Sequence, residues 1–146
     1  GLRFFTVYGP WGRPDMAPML FARAMLAGEP IRVFNHGEMW RDFTFIDDIV
    51  DGVLRALDRP PAGAPPHALY NLGNNRSEKL LDFIAAMETA LGRKAQMRLE
   101  AMQPGDVPAT FADIVATRAA LGYEPRTPIE IGVPAFVGWY RTYHGV

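Results

Sequence analysis

The sequence has no cysteine, which excludes disulfides and thiolate metal sites and removes any mark of an oxidising compartment; a cytoplasmic protein is the expectation. No apolar run approaches the roughly 20 residues that a membrane-crossing helix needs, and the first residues lack the basic-then-apolar pattern of a signal peptide, so no membrane partner is expected. Neither sign of charge is in excess: 15 basic against 16 acidic residues leave a formal net charge of −1. A near-neutral chain sets up no field to hold a polyanion, and nucleic acid is not expected as a partner. The three histidines, His36, His67 and His144, stand far apart with no ligand spacing, so no metal site is expected. Internal repeats and low-complexity segments are also missing. What remains is an ordinary globular profile, 146 residues of which 49% are apolar and 21% charged, long enough for one domain with its own core.

The chain opens directly in a strand-like run, Leu2 to Tyr8, with no initiator methionine and no polar lead-in. Short apolar runs of aromatic and β-branched residues suit a buried strand of a parallel sheet, which needs partner strands, so the start is expected to be a cut through a larger protein. Gly9 to Pro14 is loop. A helix is expected from Ala17 to Ala27, with Leu20 and Ala24, and Phe21 and Met25, at i,i+4 spacing, ended by Gly28 and Pro30. Strands follow at Ile31–Phe34 and Phe43–Ile46, separated by an Asn35-His36-Gly37 turn. Asp47 is placed as the N-cap of a helix sharing Ile49, Val53 and Leu57 on one face. Pro60 to Pro66 connects to a strand at Tyr70–Leu72. Ser77 is the expected N-cap of a helix striped with Leu80, Ile84, Met87 and Leu91. Gln96–Leu99 alternates like an exposed strand, Gln103–Asp106 is loop, and Ala116–Leu121 a short helix. The last helix carries a capping-box pattern, Thr127-Pro128-Ile129-Glu130, and an apolar face of Val133, Phe136, Val137 and Tyr140. Pro134 lies inside it, so it either kinks or starts later than the capping box implies. Strands alternate with helices throughout, which makes the class α/β.

Four strings in order, Arg3-Phe4-Phe5-Thr6-Val7-Tyr8-Gly9-Pro10, Arg41-Asp42-Phe43-Thr44-Phe45-Ile46-Asp47-Asp48-Ile49, Tyr70-Asn71-Leu72-Gly73 and Pro104-Gly105-Asp106, resemble the extended short-chain dehydrogenase/reductase family of sugar-nucleotide epimerases and dehydratases. The match runs from Gly1 to about Tyr140. Within that family, Gly9-Pro10-Trp11-Gly12-Arg13-Pro14-Asp15-Met16-Ala17 looks like the signature of UDP-glucuronate 4-epimerases. The resemblance implies a Rossmann domain for NAD and a smaller carboxyl-terminal domain that closes on the UDP-sugar. Residues 1–146 would be the UDP-sugar-binding carboxyl-terminal region of such an enzyme. Gly1–Pro10 and about Phe43–Gly73 would belong to the Rossmann sheet, and Ala17–Phe34 and Gln96–Gly145 to the smaller domain. The chain has no Gly-x-x-Gly-x-x-Gly turn to receive a pyrophosphate. No Tyr-x-x-x-Lys pair is present either, since Tyr8, Tyr70, Tyr123, Tyr140 and Tyr143 all lack a lysine four residues on. No catalytic residue is therefore assigned here. The main NAD site is expected in an amino-terminal Rossmann half, the intact enzyme is expected to be a homodimer, and this chain alone is expected to be inactive.

The resemblance also assigns candidate substrate-binding residues. A planar guanidinium suits a two-pronged grip on a carboxylate, so Arg13, in the loop after the first strand, would hold the sugar acid; the alternative is a solvated loop arginine. Thr6 would support the same carboxylate from the same strand end, or be simply a β-branched strand residue. Arg41 would neutralise the UDP diphosphate; the alternative is a weak surface ion pair with Asp42 or Asp47. Asp106 would accept from the ribose hydroxyls, or only stabilise its own turn. Gln103 stands where many relatives carry arginine, so a second phosphate-neutralising charge is not expected. Phe34 would border the uracil. Phe4 and Phe5 would flank the nicotinamide end of NAD, unless they are core. Met16, Met19 and Met25 fit packing. Trp40 fills a position that looks basic in relatives.

For the intact protein the resemblance implies reversible epimerisation at C4 of UDP-glucuronate to UDP-galacturonate through a 4-keto sugar, serving surface polysaccharide synthesis. Two alternatives stay open at this point. One is another NAD-dependent UDP-hexose epimerase, decarboxylase or dehydratase of the same family. The other is a non-catalytic sugar-nucleotide-binding module.

Overall fold

A computed structural model describes all residues from Gly1 to Val146. In chain order it contains β1 (Leu2–Phe4), β2 (Thr6–Tyr8), α1 (Ala17–Ala27), β3 (Ile31–Val33), a tight turn at Phe34–Gly37, β4 (Trp40–Arg41), β5 (Phe43–Phe45), α2 (Ile46–Asp58), β6 (Tyr70–Leu72), β7 (Glu78–Lys79), α3 (Leu80–Leu91), β8 (Met97–Leu99), α4 (Val115–Leu121) and α5 (Ile129–His144). The fold is α/β, with strands and helices alternating as the sequence pattern requires. No helix is long and apolar enough to cross a membrane.

The opening run is two strands rather than one. The chain jogs at Phe5, where the Val7 amide bonds the Phe5 carbonyl at 3.0 Å, and the jog gives each half a different partner. β1 runs parallel to β6 with Leu2 opposite Tyr70, while β2 runs parallel to β5 with Thr6 opposite Phe43. β3 runs parallel to β8, bringing Ile31 opposite Met97, and β4 pairs antiparallel with β7. Each pair joins segments far apart in sequence, and the apolar residues meet in two clusters.

The larger cluster is built from Tyr8, Phe43 and Phe45 on strands, Phe21 and Met25 of α1, Phe83, Ile84, Met87 and Leu91 of α3, and Val133, Phe136, Val137 and Tyr140 of α5. Of the i,i+4 pairs expected for α1, Phe21 and Met25 are buried while Leu20 is exposed; the stripe of α3 is buried except for the half-buried Leu80, and that of α5 is buried throughout. Phe43 stacks on Phe83 with ring centroids 4.1 Å apart, and Tyr8 meets Phe83 edge-on at 5.2 Å. Burying one such aromatic side chain contributes about 1.5–3 kcal/mol. The smaller cluster, Ile49, Leu72, Ala112, Ile114, Leu121 and Tyr123, sits beneath α2 and α4.

Polar groups in these interiors are used as ties. Asp42 is fully buried, and its carboxylate accepts from the Thr44 hydroxyl at 2.9 Å, the Asn74 amide at 2.6 Å and the Ala112 amide at 3.0 Å. A buried charge is tolerated only with such partners, and here they fasten three separate segments around the start of β5. Asp48, in the first turn of α2, accepts the amides of Arg126 and Thr127, both at 3.0 Å, and so holds the approach to α5 in place.

Three expected caps differ. α2 begins at Ile46 with Phe45 at the cap position, so Asp47 lies inside the first turn and Asp48 is the residue that bonds. α3 begins at Leu80, because Glu78 and Lys79 are drawn into β7; Ser77 instead donates to the Thr110 carbonyl at 3.0 Å. α5 begins at Ile129 with Pro128 at the cap position and no side-chain cap, since the Thr127 amide is already taken by Asp48. It then runs through Pro134, which is on the exposed side, where water can replace the missing donor. Leu57, expected on the buried stripe of α2, is 74% exposed; the buried line of that helix is Asp48, Ile49 and Gly52.

Candidate functional site

Between α1, β3 and the loop after β8 lies a cavity of about 690 Å³, within the size range of small-molecule sites. Its floor is apolar, with Phe21, Ile31 and Phe43. The exposed side of α1, Leu20 and Ala24, forms one wall, so the two stripes of that helix divide their work: Phe21 and Met25 fill the core while Leu20 and Ala24 face the cavity.

Five of the six expected substrate-side residues, Thr6, Phe34, Arg41, Gln103 and Asp106, line this one cavity, although they span a hundred positions in the chain. Arg41 ends β4 and donates to the carbonyls of Trp40 at 2.8 Å and Pro108 at 3.4 Å. It forms no ion pair with Asp42 or Asp47; the Asp42 oxygens are consumed by their own partners. The result is a cation held in position by neutral groups, with its charge uncompensated. Gln103 and Asp106 begin and end a tight turn closed by the Asp106 amide on the Gln103 carbonyl at 3.1 Å. Pro104 and Gly105 occupy its central positions, and Gly105, at φ 89°, takes the left-handed conformation that the third residue of a type II turn demands. The Asp106 side chain takes no part in closing that turn and faces the cavity. Phe34 leaves β3 with the Arg32 guanidinium 4.8 Å over its ring.

Arg13 and Thr6 do not meet as expected. Because the strand breaks at Phe5, Thr6 is the first residue of β2 and Arg13 follows its far end. The Gly9–Met16 loop bends back, so Asp15 and Met16 reach the cavity and Arg13 stays just outside its lining. There Arg13 grips Asp15 with two donors, Nε to Oδ1 at 3.1 Å and Nη2 to Oδ2 at 2.6 Å. This bonding holds the Asp15 carboxyl below the usual carboxylate range. Phe4 and Phe5 are not brought to the cavity. Phe4 is 52% exposed on β1, and Phe5 packs against the smaller core cluster.

Several lining groups carried no signal in the sequence. Arg32 makes three hydrogen bonds to Glu100, at 2.7–3.1 Å; the two are 68 residues apart, and only the β3–β8 pairing brings them together. Arg23 and Glu29 lie at the same end. Trp40 acquires an explanation from β4–β7 pairing, which places the Lys79 ammonium 5.1 Å over its ring.

A cavity with an apolar floor, two arginines without an acidic partner (Arg23 and Arg41) and two carboxylates without a basic one (Glu29 and Asp106) offers both charged and hydroxyl-accepting groups to a small polar molecule, in an α/β protein. Residues 1–73, half of the chain, match the NAD dependent epimerase/dehydratase family, and the chain belongs to that family. Among curated relatives it is 46% identical to an uncharacterised 37.6 kDa protein of Escherichia coli O111:H-, covering 100% of this chain and 48% of that protein. It is 44% identical to UDP-glucuronate 4-epimerase 1 of Arabidopsis thaliana, covering 99% of this chain and 37% of that protein. Among solved structures, UDP-glucuronic acid 4-epimerase from Bacillus cereus, in complex with UDP-glucuronic acid and NAD, superposes with a TM-score of 0.88 at 33% identity, over 97% of this chain and 45% of that one. The chain thus spans about half the length, or less, of the proteins it matches.

Proposed function

We propose that this chain supplies the UDP-sugar site of an NAD-dependent enzyme that interconverts UDP-glucuronate and UDP-galacturonate by inversion at C4. The observation that carries the reading is the convergence of Thr6, Phe34, Arg41, Gln103 and Asp106 on one cavity with Arg13 at its rim; similarity to UDP-glucuronate 4-epimerases supports it. In this reading Arg41 meets the diphosphate, where its uncompensated charge is strongest in effect. Asp106 accepts from ribose hydroxyls, Phe34 borders the uracil, and Arg13 takes the C6 carboxylate.

The chain is the carboxyl-terminal region of the enzyme, with β1, β2, β5, α2 and β6 completing a Rossmann sheet whose other strands lie in an amino-terminal half. In this reading the dinucleotide pyrophosphate is cradled by that other half. None of this chain's strand-to-helix connections carries the glycine spacing that a dinucleotide pyrophosphate requires. In this reading NAD and the proton-accepting group belong to that other half, and this chain binds and orients the sugar nucleotide. The same reading takes the intact enzyme to be a cytoplasmic homodimer.

The test is Arg13→Ala in the full-length enzyme. Binding of UDP-glucuronate should weaken about ten- to a hundredfold, the range for a lost charged hydrogen-bonded pair, while UDP and UDP-glucose change by less than about twofold. Equal losses on all three ligands, or none, would return the substrate to an unspecified UDP-hexose.

A further inference from the structure

The Gly9–Met16 loop brings two opposite charges to the rim of the cavity, and they already satisfy one another. The Arg13 guanidinium presents its Nε–Nη2 edge to both oxygens of Asp15. Asp15 lines the cavity and Arg13 does not, so the pair stands across its boundary. Neither side chain is packed, with 73% and 65% of their surfaces in solvent. The backbone beneath them is hydrogen-bonded to itself. The Gly12 amide bonds the Gly9 carbonyl at 3.2 Å, the Met16 amide bonds the Arg13 carbonyl at 3.2 Å, and the largely exposed Trp11 ring touches Trp139 and Tyr143. A hydrogen-bonded loop carrying two exposed, mutually paired charges can exchange their partners without refolding.

We propose that Asp15 is a built-in competitor for the sugar carboxylate: it occupies the Arg13 fork in the empty site and is displaced when an acidic sugar binds. The inference rests on the Arg13 reading above and adds a residue to it. The exchange is balanced in charge, since one carboxylate replaces another on the same guanidinium and Asp15 is released to water. A neutral sugar presents a hydroxyl at that position, which is too weak an acceptor to break a two-pronged ionic pair. The pair then stays closed and keeps the Asp15 charge on the cavity wall. Asp15 in this way limits affinity for the acidic sugar and narrows its margin over the neutral one.

The experiment compares Asp15→Asn, Arg13→Ala and the double variant in the full-length enzyme with NAD bound, titrated calorimetrically with UDP-glucuronate, UDP-glucose and UDP. Asp15→Asn removes the competing charge and keeps the side-chain shape. It should bind UDP-glucuronate about two- to fivefold tighter, the range that an exposed ion pair allows. UDP-glucose and UDP should stay within about twofold, and the gain should vanish when Arg13 is alanine. Unchanged or weaker UDP-glucuronate binding by Asp15→Asn, or the same change on all three ligands, would overturn the proposal. The two readings fail separately. If Arg13→Ala does not distinguish UDP-glucuronate from UDP-glucose, the Arg13 assignment falls and takes Asp15 with it. If Arg13→Ala distinguishes them but Asp15→Asn gives no tightening, only the competitor role is lost.

Discussion

Replacing Arg41 with alanine should weaken binding of every ligand that carries the UDP diphosphate, including UDP alone. The structure sets the size of the effect. Arg41 is held by the carbonyls of Trp40 and Pro108, at 2.8 and 3.4 Å, and has no acidic partner; its removal therefore releases no internal carboxylate that would blur the measurement. What is lost is one cation with charge-assisted hydrogen bonds to phosphate, worth about 1.5–3 kcal/mol, or roughly ten- to 150-fold in affinity. Arg41→Lys should recover part of this, since a point charge restores attraction but not the guanidinium fork. Calorimetric titration with UDP, UDP-glucose and UDP-glucuronate on the full-length protein gives all the numbers, and raising the salt should narrow the gap between wild type and variant. Unchanged UDP affinity in a folded Arg41→Ala protein would refute the diphosphate role and leave Arg41 as a brace for the Pro108 segment.

Other expectations concern the frame around the site. Tyr8 buries its hydroxyl without any partner, and burial pushes its titration well above the usual tyrosine range, so Tyr8→Phe should leave thermal stability equal or raise it. A Cβ on Gly132 would overlap that same hydroxyl, so Gly132→Ala, ordinarily favourable in a helix, should cost about 1–3 kcal/mol by chemical denaturation, and Tyr8→Phe should recover part of the loss. Glu78 is 8% exposed, with one oxygen 2.8 Å from the Arg76 Nε but not aligned for a hydrogen bond. Burial raises its pKa above the ordinary 4.5, against the pull of Arg76. A carboxyl whose folded pKa is raised favours folding while protonated, so its penalty grows as pH climbs through and beyond 4.5. Glu78→Gln should therefore stabilise the protein at pH 7 more than at pH 4 in urea titrations. The 146-residue chain alone should show no turnover of UDP-glucuronate in a coupled or NMR assay.

Local chemistry made most elements legible. α1 matches its expected bounds, Ala17 to Ala27, because Pro18 opens it and Gly28 stops it. The turn at Asn35-His36-Gly37 and the helix end at Gly122 follow from the same kind of residue. Helix starts were less legible, because the apparent caps are engaged elsewhere. The Thr127 amide goes to Asp48, and Ser77 bonds to Thr110 from a position 33 residues away. Phe5 is a comparable case: the run from Leu2 to Tyr8 is uniformly suited to a strand, and only the two separate partners, β6 and β5, require the break. At the site, Thr6, Arg41 and Asp106 of the motif strings converge on the cavity while Arg13, Phe4 and Phe5 do not line it, and Arg32 with Glu100 depends on β3 lying beside β8, which no spacing in the chain announces. Asp15 stood inside a motif string without an assigned role, since its bond to Arg13 depends on how the loop folds back.

The most direct test of the substrate assignment is to supply the full-length protein with UDP-glucuronate and NAD and follow the sugar by NMR. The account predicts interconversion of UDP-glucuronate and UDP-galacturonate until the two reach a constant ratio, with UDP-glucose left unchanged. Conversion of UDP-glucose to UDP-galactose, with UDP-glucuronate untouched, would contradict it.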